Sequence, residues 1–220
     1  MGVTEAELAG WSARCEAFVR ERMAGDAAHD LAHVRRVVAW ARRLGAAEHA
    51  DLRVVLPAAW LHDIVTVSKS HPDRARASQI AAEAASGWLR EHGFPETLVP
   101  EVAHAIEAHS FSAGIEPRTV EARVVQDADR LDALGAIGIA RCYATAAALG
   151  SQITHPDDPV PGEAPGRDLD DRRYATDHFY VKLLRLPATM RTDAGRAEAE
   201  RRADTMRAFL DALARETASG

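Results

Sequence analysis

The chain has 220 residues, 47% of them apolar and 27% charged, which is the ordinary composition of a water-soluble globular protein. Its formal net charge of -6 argues against a general binder of nucleic acids or membrane surfaces, because both kinds of partner are negatively charged. Cys15 and Cys142 are too few for a disulfide framework, and no apolar run approaches the ~20 residues of a membrane span. We therefore expect a cytoplasmic protein with reduced thiols.

Helical patterns cover nearly the whole chain. Thr4-Glu5-Ala6-Glu7 is typical of a capping box and predicts a helix that runs to about Met23. The further helices are predicted at about residues 30–44, 52–65, 75–91, 95–109, 119–134, 136–149, 171–186 and 193–216. Pro57 lies inside the third helix and predicts either a kink or a later start of that helix.

A long loop interrupts this helical pattern. Between Gly150 and Asp168 the sequence holds four prolines and three glycines, and a loop of this length is typical of a lid, a binding loop or a disordered segment. No segment shows the alternation of a β-strand, and no internal repeat is visible. The sequence predicts an all-α protein of one domain, with about eight or nine helices over residues 1–220. Its core would cover about residues 26–150, with the loop at 150–170 and C-terminal helices at 171–216 packing on the core.

The most apolar of these helices carries an acidic residue. Residues 58–65 read AAWLHDIV, so His62 and Asp63 stand side by side among apolar residues. Burying an ionised carboxylate is costly unless it is paired, hydrogen-bonded or bound to a metal. Neighbouring residues on a helix point ~100° apart, so both side chains reach one ion only near an edge or an end of the helix. A metal site would need ligands from other helices, whereas a hydrogen-bonded buried pair would not.

Two other segments offer such ligands. His29 and His33 are four residues apart and share one face of the second helix. Asp127, Asp129 and Asp132 follow the apolar pair at residues 124 and 125. One histidine, the His-Asp pair and one distant aspartate supply two imidazoles and two carboxylates. This mixed set suits Mn²⁺, Fe²⁺, Co²⁺, Ni²⁺ or Zn²⁺ and not a thiolate-type structural site.

The order His33, His62-Asp63, Asp129 resembles the H…HD…D pattern of the HD-domain superfamily of metal-dependent phosphohydrolases. Further stretches resemble its bacterial YedJ/YpgQ-like subfamily, namely residues 29–37, 109–112, 126–138, 178–186 and 190–192. The resemblance runs from about residue 26 to 216, and it implies a single all-α HD domain. It places four metal ligands on His33, His62, Asp63 and Asp129, around one divalent ion (Mn, Ni, Co, Fe or Zn). On an octahedral ion, two positions would remain for water and a phosphate oxygen.

Four further residues are candidate substrate contacts. His109 ends its helix and is a candidate for a phosphate contact or for the general acid. Lys69 and Lys182 are the only lysines of the chain, and a compact ammonium at either position would neutralise a phosphate, although each also suits a solvated surface. Arg130 is a further phosphate contact or a partner of Asp127. We assign catalysis to Asp63, His109 and Lys69, and substrate binding to Lys69, His109, Arg130 and Lys182.

Other polar residues are expected to support the ligands. His29, Asp127 and Asp132 would hydrogen-bond behind them, and His29 is also a candidate for a fifth ligand or a helix cap. In some relatives, extra histidines between the HD pair and the last aspartate hold a second ion. Here His104 and His109 are five residues apart and lie on different faces of a regular helix. We therefore predict one ion and a structural role for His104.

The subfamily resemblance implies that nucleoside or deoxynucleoside triphosphates are cleaved to monophosphate and pyrophosphate, with metal-bound hydroxide as the nucleophile. Some alarmone hydrolases place a Glu-Asp pair after the HD pair, but here residues 64–67 read IVTV and leave the general base unassigned. The alternatives are a 5′-nucleotidase-like phosphomonoesterase, a cyclic-nucleotide phosphodiesterase and a non-catalytic metal or nucleotide sensor. The expected partner is a small phosphorylated substrate, not nucleic acid or membrane. The native metal, the base and sugar of the substrate and formation of a homodimer are left open.

Overall fold

The computed structural model of the protein describes residues 4–22, 31–65, 76–110 and 113–218. Within these ranges there are nine α-helices and no β-strand, and only an isolated parallel bridge joins Gln152 and Tyr174. The predicted all-α class is confirmed. The helices are α1 Glu5–Arg22, α2 Leu31–Ala47, α3 Leu52–Leu61, α4 Ala77–Glu91, α5 Val99–His109, α6 Val120–Leu131, α7 Gly135–Ala148, α8 Ala175–Val181 and α9 Asp193–Thr217. None of the described helices is long and apolar enough to span a membrane.

The described residues form two compact units. The first unit contains those of Met1–Asp129 together with Arg191–Gly195, and the second contains those of Arg130–Met190 together with Arg196–Gly220. Helices α6 and α9 therefore each contribute residues to both units. The single domain over residues 1–220 stays a prediction.

Helix α3 lies at the centre of the first unit. It packs against α1, α2 and α5, and all of its residues from Val54 to Leu61 are buried. The helix begins at Leu52, where Asp51 accepts a hydrogen bond from the backbone N–H of Arg53 as the N-cap. A start after Pro57 is therefore wrong, since the proline lies inside the helix. His62, which directly follows the last residue of α3, is buried as well.

The predicted end of α3 at Val65 is also wrong, because the helix ends at Leu61. In a continuous helix the N–H of Asp63 would bond to the carbonyl of Ala59. Here Nδ1 of His62 lies 2.8 Å from that carbonyl oxygen and takes its place. The His-Asp pair therefore follows the helix instead of lying in its interior, as the divergence of neighbouring helical side chains requires.

The second unit contains α7, α8 and most of α9, with two short 3₁₀ helices at Leu183–Arg185 and Pro187–Thr189. Its aromatic core includes Phe179, whose ring centroid lies 6.0 Å from that of Tyr143 and 6.0 Å from that of Phe209. Residues 149–174 contain no helix, which matches the predicted long loop. The end of this loop is bound to α8, because Arg167 donates to both oxygens of the fully buried Asp177 at 2.7 Å.

Candidate metal centre

His62 is held by the end of α3. A carbonyl oxygen can only accept a hydrogen bond, so the 2.8 Å contact with Ala59 places the proton of the neutral ring on Nδ1. The Nε2 atom then carries a lone pair on the opposite side of the ring. The residue is 1% exposed, and this nitrogen is buried with no hydrogen-bond partner among the described residues. A buried nitrogen lone pair of this kind is suited to a metal ion.

His109 is arranged in the same way at the end of α5. Its Nδ1 atom lies 2.6 Å from the carbonyl oxygen of Ile106, so its Nε2 atom is also directed away from its own helix. That Nε2 atom lies 3.6 Å from Oδ1 of Asp63, and its ring centroid lies 4.9 Å from that of His62. The histidines at the ends of α3 and α5, His62 and His109, therefore both lie close to the carboxylate of Asp63.

His33 on α2 and Asp129 near the end of α6 complete the cluster. Nε2 of His33 lies 3.5 Å from Oδ1 of Asp129 and 3.9 Å from Oδ2 of Asp63. Nε2 of His62 lies 3.6 Å from Oδ2 of Asp63 and 3.9 Å from Oδ1 of Asp129. The structure thus brings together the four predicted ligands, which come from two helices, α2 and α6, and from the residues that follow α3.

The charges in this cluster favour an ionised carboxylate among neutral and protonated rings. Burial acts to raise the pKa of Asp63, but the imidazoles of His62, His109 and His33 outweigh it and hold this pKa well below its usual range. Burial lowers the pKa of His62, so its ring favours the neutral form that binds metals. For His109, burial acts in the same direction, but the facing Asp63 raises its pKa above the ordinary value.

The geometry of the cluster fits a divalent ion. The nitrogen–oxygen distances of 3.5 to 3.9 Å exceed those of hydrogen bonds. Ligands about 2.1 Å from a shared ion would be separated by about 3 to 4 Å, depending on the angle between them. Two sets of three residues each place their candidate ligand atoms within 4.8 Å of one another. They are His33–His62–Asp129 and His62–Asp63–His109. The cluster can therefore hold a metal ion, and His62 belongs to both groups.

Three further residues were predicted in the chain before Asp129. His29 and Lys69 lie outside the described residues. Asp127 is fully buried and accepts hydrogen bonds from the backbone N–H groups of Arg191 and Thr192. Its observed contacts with these residues were not predicted, because Thr192 is 65 positions away along the chain.

The remaining predicted residues lie in the second unit. Asp132 is buried and pairs with Arg141. Arg130 donates through Nη1 to the carbonyl oxygen of Thr189 at 2.8 Å. Lys182 directly follows the last residue of α8. Their predicted roles in substrate binding or ligand support stay predictions.

Comparison with known proteins agrees with this geometry. A model of the family described as "HD domain" matches residues 30–134, the segment that contains every residue of the cluster. The protein YpgQ of Bacillus subtilis is 35% identical over 189 residues, which are 84% of this chain and 82% of that protein. The chain belongs to the HD-domain family. The prediction made from the H…HD…D order is confirmed.

Solved structures of this family are similar over nearly their full length. The crystal structure of B. subtilis YpgQ in complex with ADP gives a TM-score of 0.75 at 32% identity, covering 96% of this chain and 97% of that one. The crystal structure of an HD-superfamily hydrolase from Bacillus thuringiensis gives a TM-score of 0.76 at 32% identity, covering 97% of this chain and 100% of that one. This HD-domain protein is accordingly a metal-dependent phosphohydrolase.

The place of His109 in the cluster was only partly predictable. Its position at the end of a helix indicated a functional role, but its 3.6 Å distance from Asp63 depends on how α5 packs against α3. His104 lies one turn earlier, where its Nε2 atom accepts a hydrogen bond at 3.0 Å from the backbone N–H of Arg118. This contact agrees with its predicted structural role. Of the two histidines, only His109 lies in the cluster.

Proposed function

We propose that this HD-domain phosphohydrolase cleaves nucleoside or deoxynucleoside triphosphates to the monophosphate and pyrophosphate, in the cytoplasm and with one divalent ion. The observation that carries the proposal is the buried Nε2 atom of His62, which lies within 4 Å of two carboxylates and has no hydrogen-bond partner among the described residues. The ADP complex of YpgQ supports a nucleotide as substrate, since that relative binds an adenine nucleotide and shares the fold at 32% identity.

In this proposal His33, His62, Asp63 and Asp129 hold the ion. When bound, a divalent ion supplies a Lewis acid for a phosphoryl oxygen and lowers the pKa of water. The Nδ1 atom of His62 bonds to the carbonyl of Ala59, which orients this proposed ligand before the ion binds, and Ile106 orients His109 in the same way. Such hydrogen bonds set both the tautomer and the orientation of the ring.

His109 is proposed to act on the leaving group. Its Nδ1 atom is occupied by Ile106, so Nε2 is the atom that would donate or accept a proton beside Asp63. Lys69, Lys182 and Arg130 are the proposed phosphate contacts. They would supply positive charge to a polyphosphate that carries several negative charges.

Product analysis by phosphorus NMR tests the reaction. The protein, reconstituted with Mn²⁺, is incubated with a panel of deoxynucleoside and nucleoside triphosphates, and release of pyrophosphate is expected. Asp63→Ala should release none. Asp51→Asn is the matched control, because it alters an aspartate at the other end of the same helix and asparagine is an equally good N-cap.

The other products distinguish the alternatives. Orthophosphate from monophosphates would indicate a phosphomonoesterase, and a linear monophosphate from a cyclic nucleotide would indicate a phosphodiesterase. A stoichiometric metal without turnover of any nucleotide would contradict the proposal and favour a sensor.

A further inference from the structure

Asp127 is a fully buried carboxylate on α6 to which the proposed reaction assigns no role. Its two oxygens lie 3.0 Å from the backbone nitrogen of Arg191. Its Oδ2 atom also accepts hydrogen bonds from the backbone nitrogen of Thr192 at 2.8 Å and from the hydroxyl of Thr192 at 2.7 Å. A buried carboxylate is tolerated when its oxygens are satisfied in this way. The contacts join α6 to the segment at which α9 begins.

Thr192 links Asp127 to the first turn of α9 by hydrogen bonds. Its hydroxyl donates to Asp127 and accepts from the backbone N–H of Gly195 at 3.0 Å. Thr192 directly precedes α9, so it satisfies an N–H group in the first turn that has no partner within the helix. The carboxylate, the hydroxyl and the helix N-terminus therefore form one continuous chain of hydrogen bonds.

Gly195 allows the close approach. A Cβ atom at this position would lie 2.5 Å from Oδ2 of Asp127 and 2.6 Å from Oγ1 of Thr192, and both distances are shorter than real contacts. The backbone of α9 can reach the carboxylate only because this residue has no side chain. We call Asp127, Thr192 and Gly195 the clasp.

The clasp lies beside a proposed metal ligand. Asp127 and Asp129 are two residues apart on α6, so their side chains point ~200° apart around the helix axis. Asp127 binds the α9 segment on one side, and on the other side Oδ1 of Asp129 lies 3.5 Å from His33 and 3.9 Å from His62. Rotation of this part of α6 about its axis would move both carboxylates together.

A second contact holds α6 at the preceding residue. The amide Nε2 of Gln126 donates to the carbonyl oxygen of Ala108 at 2.6 Å, and Ala108 precedes His109 on α5. Asp129 itself lies in the last turn of α6, where the intrahelical hydrogen bonds come to an end. External contacts therefore contribute to the orientation of this turn, and the clasp supplies such contacts through the Arg191 and Thr192 bonds to Asp127.

We propose that Asp127 is a positioning residue, which acts through the clasp to fix the direction in which Asp129 presents its carboxylate to the metal ion. The inference rests on the proposed function, since it takes Asp129 as a ligand. Asp127 needs no contact with the ion or the substrate for this role. Its loss would weaken metal binding because Asp129 would no longer be fixed in advance.

Metal affinity tests this role in the full-length protein. The dissociation constant for Mn²⁺ is measured by titration calorimetry, and the visible absorption spectrum of the Co²⁺-loaded protein reports the ligand geometry. Asp127→Asn replaces one acceptor oxygen by an NH₂ group facing N–H donors, so we expect a dissociation constant raised about 10-fold or more and an altered Co²⁺ spectrum. Thr192→Val should act in the same direction, whereas Thr192→Ser retains the hydroxyl and should stay within about twofold of wild type.

Two controls separate positioning from lost stability. Leu89→Val removes one buried methylene from α4 and should lower the free energy of unfolding by about 1 kcal/mol. The Co²⁺ spectrum and the Mn²⁺ affinity of this variant should be unchanged. If Asp127→Asn does not fold, the pair Thr192→Val and Thr192→Ser decides the result. Wild-type affinity and spectrum in folded Thr192→Val or Asp127→Asn would overturn the positioning role alone. A wild-type protein that binds no stoichiometric metal would overturn the proposed function and this inference together.

Discussion

The imidazole of His109 faces the carboxylate of Asp63, with 3.6 Å between Nε2 and Oδ1. We expect His109→Gln to lower kcat by about 100-fold or more, the usual effect of losing a general acid or base. The variant should still bind one equivalent of metal, because the four proposed ligands are intact. Steady-state kinetics together with metal analysis by mass spectrometry checks both expectations.

The control for His109 is another histidine of the same helix. His104→Gln should keep kcat close to the wild-type value, since His104 bonds to the backbone of Arg118 and lies outside the cluster. Loss of metal in His109→Gln would show instead that His109 is a ligand. The group His62–Asp63–His109 would then be part of the metal site itself.

Metal binding should stabilise the folded protein. At a free Mn²⁺ concentration 100 times the dissociation constant, the free energy of unfolding should rise by about 2.7 kcal/mol, and a chelator should reverse the effect. Asp129→Asn removes a proposed ligand and should abolish most of this gain in thermal unfolding. Glu121→Gln on the same helix should retain the gain, because Glu121 accepts from the backbone N–H of Asp51 and is not in the cluster. An equal gain in Asp129→Asn would contradict its role as a ligand.

The choice of His33 and Asp129 as ligands follows from the resemblance to the HD-domain pattern, because residue types and helical periodicity alone also allow His29, Asp127 and Asp132. His62 and Asp63 are conspicuous in an apolar segment, and a carboxylate there requires a partner. The exact end of α3 could not be predicted in this way. It depends on a side-chain contact, the Nδ1 atom of His62 with the carbonyl of Ala59, which competes with the helical hydrogen bond.

Contacts between distant segments could not be predicted from the sequence, for a different reason. The local surroundings of Asp127 indicate a polar residue near the proposed ligands, but its partners at positions 191 and 192 are set by packing. Thr192 followed by Asp193 and Ala194 is a recognisable start of a helix. That pattern does not predict which carboxylate will accept a hydrogen bond from the threonine.

Asp177 should make the stability of the second unit depend on pH. Burial acts to raise the pKa of this aspartate, but the guanidinium of Arg167 and the backbone N–H of Asp170 outweigh it, so the pKa lies below its ordinary value. A lowered folded-state pKa stabilises the folded protein above the unfolded value, about 3.9, and this contribution is lost as pH falls through the folded pKa.

The matching variant is Asp177→Asn. It removes the charge that faces Arg167, which keeps its ion pair with Asp158, and should lower the free energy of unfolding by about 2 kcal/mol at neutral pH. The free energy of unfolding of both proteins is measured with urea between about pH 7 and pH 3. The difference between wild type and variant should stay constant down to about pH 4 and become smaller below it. A difference that does not shrink at acidic pH would show that the stabilisation does not depend on the charge of Asp177.

The clasp also predicts different effects of adding a methyl group at two helical glycines. Gly195→Ala should destabilise the protein by about 1 to 3 kcal/mol, because the new Cβ would overlap Oδ2 of Asp127. Gly10→Ala on α1 meets no atom within 4 Å and should be neutral or stabilising by up to about 1 kcal/mol. Chemical denaturation of the two variants and the wild type measures the difference.

The comparison isolates the close approach because both substitutions add the same methyl group to a helix. Helix propensity alone would stabilise both variants, since alanine is the better helix former. Opposite signs would therefore show that steric conflict at Asp127 outweighs propensity at position 195. Stabilisation of Gly195→Ala to the same extent as Gly10→Ala would mean that α9 can move away from Asp127 at no cost, and the clasp could not then fix the orientation of α6.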